Sequence, residues 1–424
     1  MITGDHRVTA TSIARQLGIL SGRNTVVDGD DMDEMSDAEL RKTLKTATVF
    51  ARVSPSDKLR IVDALRLNGE VVAMTGDGVN DSPALKSADI GIAMGITGTD
   101  VAKDASDMIL LDDNFTTIEY AVREGRRVYR NIQKVIQFLL AGNIAEVITI
   151  LVAAIIGAPQ PINAVQILVI NLVTDTLPAL ALGVDPAHKD IMKERPVRSG
   201  SLFDSGLVGR VILHGSFIAS VTITAFFIGI FSVQPGITWT QIVNLNASDF
   251  TYLAGTTMAF GTLALSQLIH AANQRSNKIS LLTGGNGKNK ALRIAMLGSL
   301  LVLIGILLIP VMNINVFGVV GFYGSYNGID AGQYAWLYII MILLSFVPTL
   351  FVEVQKFVIR AVDKAKEERA LEKEADTQAL RDTMKAMVKE AVKEANEEAR
   401  IITQLKLEAK DGEVIYDENG EPIE

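Results

Sequence analysis

The sequence predicts two structural classes in one chain: a parallel-sheet α/β unit, then an all-α bundle of six membrane-crossing helices that continues into a long charged helix. Three observations carry this. Short apolar runs alternate with helix-like polar stretches over residues 1–120. Apolar residues, 49% of the 424, then concentrate between Ile132 and Val354. Residues from about 356 to 410 are rich in Ala, Glu and Lys. The expected divisions are therefore 1–120, 121–355 and 356–424.

Taking the elements in order, Val49-Phe50-Ala51-Arg52-Val53, Val71-Val72-Ala73-Met74, Ile90-Gly91-Ile92-Ala93 and Met108-Ile109-Leu110-Leu111 read as buried strands of a parallel sheet. Met1-Ile2-Thr3-Gly4-Asp5-His6 lacks the basic start and apolar core of a signal peptide. The six expected spans lie near 132–156, 162–182, 207–231, 252–272, 291–312 and 334–355. Loops at 123–134, 189–210, 275–293 and 356–366 carry Arg126, Arg127, Lys189, Lys193, Arg195, Arg275, Lys288 and Lys290. The alternate loops at 157–161, 232–251 and 313–333 carry no Lys or Arg. The positive-inside rule then places the basic loops, the α/β unit and both termini in the cytoplasm. In the tail, Met384, Met387, Val388, Ala391, Val392 and Ala395 recur at helical spacing. That stripe fits a solvated or coiled-coil helix, or a regulatory or membrane-surface one.

Composition also excludes. A net charge of −8 argues against general nucleic-acid binding. With no cysteine there is no disulfide framework, thiolate metal site or cysteine nucleophile. The Asp-rich stretch Asp28-Gly29-Asp30-Asp31-Met32-Asp33 lacks the sixth-position glycine of an EF-hand and reads as a solvated loop.

The most specific local signal is Thr75-Gly76-Asp77-Gly78-Val79-Asn80-Asp81. A strand ends in a glycine-permitted turn, and two carboxylates follow at the C-terminal edge of a parallel sheet. Asp77 and Asp81 suit a Mg²⁺ ion that also holds a phosphate, because Mg²⁺ takes one or two carboxylates plus substrate oxygens. Alone, Lys58 after Ser54-Pro55-Ser56-Asp57 would be an ordinary surface lysine, and Thr3-Gly4-Asp5 an ordinary turn. Beside the Asp77 turn they become the expected phosphate contacts.

The membrane segments carry a second signal. Glu146 and Asp175 lie deep in apolar runs, where ionisable groups are costly and mark function. Asn143 and Glu146 are spaced to share one helix face, and Asn171, Thr174 and Asp175 another. Pro178 has no N–H and so leaves the carbonyl of Thr174 without its helical donor. Carboxylates, amides, a hydroxyl and freed carbonyls form an all-oxygen set suited to Ca²⁺. Plain helix–helix hydrogen bonding is the alternative; it would explain the amides but poorly explains two acids.

Met1-Ile2-Thr3-Gly4-Asp5, Pro55-Ser56-Asp57-Lys58 and the run from Thr75 to Lys86 together resemble the phosphorylation domain of P-type ATPases, within the haloacid dehalogenase superfamily. The resemblance implies that Thr3 and Lys58 contact a phosphoryl group, with Gly4 and Asp5 in the same motif. Asp77 would hold Mg²⁺, and Asn80 and Asp81 complete the loop. Asn143, Glu146 and Asn171-Leu172-Val173-Thr174-Asp175, with Leu177-Pro178-Ala179, are similar to the fifth and sixth transmembrane helices of the sarcoplasmic-reticulum-type calcium pumps. Gln267 stands where that family has a Glu, so it is either a cation ligand lacking a charge or a packing residue.

The family's phosphorylated Asp-Lys-Thr-Gly segment is absent from these 424 residues. The resemblance therefore implies the C-terminal half of an ATP-driven Ca²⁺ pump, using Mg²⁺ and ATP in a cell membrane. The nucleotide-binding and actuator domains and four earlier helices would lie elsewhere. Alone, the chain is expected to show no ATP turnover, and its soluble domain to be unstable because strand edges go unpaired. Two alternatives remain: a non-catalytic membrane subunit that completes a pump with a separate N-terminal chain, and a pump for another cation such as Na⁺.

Overall fold

A computed structural model describes residues 1–22, 25–188, 190–193, 202–203, 205–281, 289–309 and 316–408. Lys189, Arg195 and Lys288 of the expected basic loops lie outside the described residues, as do the side chains of Ala391, Val392 and Ala395. The N-terminal region runs α1 (Arg7–Gln16), β1 (Thr25–Asp28), α2 (Gly29–Asp33), α3 (Asp37–Thr43), β2 (Ala47–Ala51), α4 (Pro55–Leu67), β3 (Ala73–Gly76), α5 (Ser82–Ser87), β4 (Ile90–Met94), α6 (Asp100–Ala105) and β5 (Met108–Leu110). All its strand pairs are parallel: β1 with β2, and β3–β4–β5.

Helices cover both faces of β2, as a parallel sheet requires. Ala10 and Ala14 of α1 pack on Val49 and Ala51. Phe50 faces the other way, into a core with Val27, Met32, Leu40 and Ile61. Residues 1–3 run beside β2: Phe50 N–H donates to Met1 O at 2.8 Å, and Thr3 N–H to Phe50 O at 2.9 Å. Among the described residues no ladder joins this sheet to β3–β4–β5. Ile2 nevertheless packs against the cores of both. Strand β1 went unread in the sequence because only two apolar residues, Val26 and Val27, mark it. The expected solvated loop at 28–33 is instead a short helix, with Asp30 paired to Arg52 at 3.2 Å.

The second region runs α7 (Phe115–Ile156), α8 (Ala164–Val169), a π turn (Ile170–Asp175), α9 (Thr176–Gly183), α10 (Ser205–Val233), α11 (Trp239–Val243), α12 (Phe250–Asn273), α13 (Lys290–Leu308), a hairpin of β6 (Ser325–Tyr326) and β7 (Ile329–Asp330), and α14 (Trp336–Glu408). Among the described residues, five stretches are long and apolar enough to cross a membrane. They include α7, the α8–α9 helix, α10, α13 and the first part of α14. The remaining expected span, 252–272, is the helix α12 but is not among those five. Nearly all of α12 is buried, so neighbouring helices rather than lipid surround it, and Thr256, Thr257, Thr262, Ser266 and Gln267 are tolerated there. Its partner α10 approaches closely through two glycines. A Cβ on Gly229 would lie 2.8 Å from Gly255 Cα, and a Cβ on Gly255 would lie 3.0 Å from the Phe226 carbonyl oxygen.

The chain divides into two compact units. One holds Met1–Arg275 and Asn286–Pro348; the other holds Ser276–Gly285 and Thr349–Glu424. Within the second, Lys278 pairs with Asp363 at 2.6 Å, and Leu281 N–H donates to Glu353 at 3.1 Å. Met384, Met387 and Val388 of the tail stripe are solvent-exposed.

Four residues connect β5 to α7, and Asp113 fixes their course. It takes a left-handed conformation, φ 49°. Its carboxylate accepts the Ile96 N–H at 2.9 Å and the Thr97 N–H and hydroxyl at 2.8 Å each. These donors, the Ile96 N–H first, hold the carboxyl down at about 2. A depressed folded-state value contributes stability that is present above the unfolded value near 4 and is lost as pH falls toward 2. Asp113→Asn should therefore destabilise the α/β region at neutral pH and flatten its acid-unfolding curve over that window. Circular dichroism against pH measures both effects.

Candidate functional site

Two clusters of polar side chains stand out, one on each region. In the α/β region, Ser54 caps α4: its hydroxyl accepts the Asp57 N–H at 3.2 Å, while Asp57 accepts the Ser54 N–H at 2.8 Å. With Pro55 at the first helical position, this box fixes Lys58 in the first turn. Lys58 Nζ reaches Asp81 at 2.6 Å. Asp81 is 6% exposed and sits in the short 3₁₀ turn Val79–Asp81 that follows the strand. Asp77 and Asn80 are exposed at the same edge. The Asp77 carbonyl accepts the Thr99 N–H at 2.8 Å, so the turn is tied to the start of α6. Thr3 donates to Asp5 at 2.9 Å, and the Thr3 carbonyl accepts the Val53 N–H at 3.3 Å, just before the α4 cap. Gly4 and Asp5 are exposed beside it.

Of the two carboxylates assigned to Mg²⁺, Asp77 is the one open to a ligand, whereas Asp81 already neutralises Lys58. One free carboxylate plus phosphate oxygens is a donor set Mg²⁺ accepts, so the residues fit the ion.

In the bundle, Glu146 of α7 and Asp175 of the π turn are 5% and 0% exposed. Asn171 Nδ2 donates to Glu146 Oε2 at 2.9 Å. The other Glu146 oxygen, both Asp175 oxygens and both polar atoms of Gln267 are buried without a hydrogen-bond partner. Gly142, one turn before Glu146, makes room for the cluster: a Cβ there would lie 2.9 Å from Gln267 Nε2 and 3.1 Å from Asp175 Oδ2. Glu146, Asn171, Asp175 and Gln267 therefore converge on one side of α7. Asn143 does not join them: it is exposed on α7. Helical geometry explains this, because residues 142 and 146 line the cluster and 143 is rotated about 100° from 142.

Thr174 is buried, its hydroxyl donating back to Ile170 O at 2.8 Å. The carbonyl that Pro178 deprives is met by Ser299 of α13, at 3.5 Å from Thr174 O and 3.3 Å from Val173 O. Gly142 and Ser299 were not singled out from the sequence. A serine inside the apolar run 291–308 was the available signal for Ser299.

Bare carboxylate oxygens are severely penalised in a dry interior unless paired or bound to a metal. Among the described residues, no Lys or Arg side chain has a hydrogen bond or ion pair to Glu146 or Asp175. A cluster of unpaired oxygens without cysteine or histidine suits a hard cation.

A parallel-sheet head with a strand–TGDG turn, joined to a bundle of long apolar helices holding buried, unpartnered acids, is the arrangement of P-type ATPases. Family comparison gives the same class. Residues 1–89 match the haloacid dehalogenase-like hydrolase family, and residues 159–358 match the C-terminus of cation-transporting ATPases. The chain is 46% identical over 319 residues to calcium-transporting ATPase 1 of Bacillus cereus, covering 75% of this chain and 36% of that protein. It is 44% identical over 311 residues to the calcium-transporting ATPase of Bacillus subtilis, covering 73% and 33%. With calcium-transporting ATPase 1 of Schizosaccharomyces pombe it shares 42% over 309 residues, covering 71% and 33%. The chain belongs to the calcium-transporting P-type ATPase family, corresponding to its C-terminal portion. It spans about a third of the length of the curated relatives it matches.

Gly142→Ala tests the cluster without breaking the helix, because the new methyl meets only the tips of two side chains. Where the cluster takes a divalent cation, the expected result is unchanged thermal unfolding with that cation's affinity lowered by about tenfold or more, measured by titration calorimetry.

Proposed function

We propose that the chain is the cation-translocating portion of a pump that moves Ca²⁺ across a cell membrane, driven by ATP through an aspartyl-phosphate cycle. The supporting observation is the set of buried, unpartnered oxygens on Glu146, Asp175 and Gln267. In this reading Glu146, Asp175, Asn171 and Thr174 ligate Ca²⁺ as cargo, and Gln267 adds a neutral oxygen; Asn143 lies outside the geometry. Asp77 would hold Mg²⁺, which when bound neutralises phosphate charge. Lys58, oriented by Asp81, and Thr3 would contact the phosphoryl group, with Gly4, Asp5 and Asn80 shaping the same edge. Residues 1–120 form the phosphorylation-domain portion, 121–355 the membrane domain and 356–424 a cytoplasmic tail, with both termini inside.

The α/β region contains two sheets without a joining ladder, and Ile2 packs against the cores of both. A further strand from the N-terminal portion of the pump would pair the free edges.

The test is protection of buried carboxyls from a hydrophobic carbodiimide in detergent-solubilised chain. Ca²⁺ should protect Glu146 and Asp175, identified by mass spectrometry, and Glu146→Gln and Asp175→Asn should abolish cation binding. Protection by Na⁺ and not by Ca²⁺ would favour the other-cation alternative.

A further inference from the structure

We propose that Asp185 is a positioning residue of the cation cluster: it fixes the cytoplasmic end of α9 against α7, and so sets how Asp175 faces Glu146. This rests on the proposed function for the cluster's cation and for which end of α9 is cytoplasmic.

Five side-chain donors converge on this one residue. Its carboxylate, 4% exposed, accepts from Lys134 Nζ at 2.8 Å, Arg275 Nε at 3.0 Å and Asn289 Nδ2 at 2.9 Å. Its backbone carbonyl accepts from Asn131 Nδ2 at 2.8 Å and from Arg127 at 3.3 Å. These donors come from α7, from the residues just after α12, and from the cap of α13. The same amides close the open end of α9. Asn131 also donates to Gly183 O at 3.1 Å, and Asn289 to Ala181 O at 2.9 Å. The last carbonyls of a helix need such partners, and here neighbouring helices supply them.

The helix so held cannot hold itself straight. Between Asn163 and Asp185 it carries a π turn at Ile170–Asp175 and Pro178, both of which interrupt the regular backbone ladder. An interrupted helix transmits position poorly, so the place of Asp175 depends on anchors at both ends. At the far end Gln166 donates to Phe317 O at 3.0 Å. At the near end the anchor is the Asp185 knot. A buried ion pair is weak evidence for stability but fixes geometry, because few arrangements satisfy every donor. None of these side chains lies among the cation-binding candidates.

The absence of native cysteine allows spin labels to be placed singly. Labels at Val147→Cys on α7 and Leu180→Cys on α9, both exposed, report the α7–α9 distance by pulsed electron resonance. Ile155→Cys on α7 and Thr224→Cys on α10 form the reference pair. Asp185→Asn should broaden the first distribution and leave the reference narrow, and Asp185→Glu should restore the first. Ca²⁺ affinity should fall by about 10- to 100-fold in Asp185→Asn and recover in Asp185→Glu. An unchanged first distribution overturns the proposal, as does equal broadening of the reference, which would mean general loosening. A broadened α7–α9 distance with unaltered Ca²⁺ affinity also overturns it. If the unsubstituted chain shows no Ca²⁺ binding, the calcium reading fails, and the two distance distributions alone decide the role of Asp185.

Discussion

Glu146 and Asp175 bury three carboxylate oxygens that no cationic side chain neutralises among the described residues. Leaving even one neutral buried polar atom unsatisfied costs about 1–3 kcal/mol, and a charged one more. Neighbouring residues of the bundle shape the space around these oxygens. Gly142 removes the side chain that would fill the space, and the π turn redirects Asp175 toward it. Ser299 takes the displaced carbonyl that would otherwise add to the deficit. On α7 Thr149 is satisfied locally by Ala145 O at 2.7 Å, whereas on α12 the buried hydroxyls of Thr262 and Ser266, close in sequence to Gln267, also lack a partner. What is particular to this spot is charge: among the described residues, the bundle's unpartnered carboxylate oxygens belong to Glu146 and Asp175.

The α/β region shows the opposite economy. There the acid Asp81 is buried because Lys58 accompanies it, and the pair is held by a helix cap. The neighbouring Asp77 stays at the surface. Two acids four residues apart therefore receive different environments: one orients a cation side chain, and the other is available to a ligand.

Much of this was legible in the sequence because the signals are local. A strand closing on Gly-Asp-Gly, and single acids within apolar runs, are exceptional wherever they occur, and the structure puts Asp77 at a sheet edge and Glu146 beside Asn171. What was hidden depends on neighbours. Spacing alone groups Asn143 with Glu146, yet the direction from which α9 and α12 approach selects Gly142 and Glu146 instead. Hydropathy reports contact with lipid, so it describes α12, wrapped by other helices, less well than α7. Pro178 announces a missing hydrogen bond but cannot say that a serine more than a hundred residues away responds. Asp185 reads as one more acid in a basic loop until Lys134, Arg275 and Asn289 are folded around it.

The glycine contact between α10 and α12 has a mechanical consequence. Backbones that touch at Gly229 and Gly255 leave no side chains to slide over one another, so the two helices behave as a single wall. The long α7 meets the same wall: a Cβ on Gly215 of α10 would lie 2.9 Å from the Ala141 carbonyl oxygen, so close backbone contact runs from α12 through α10 to α7.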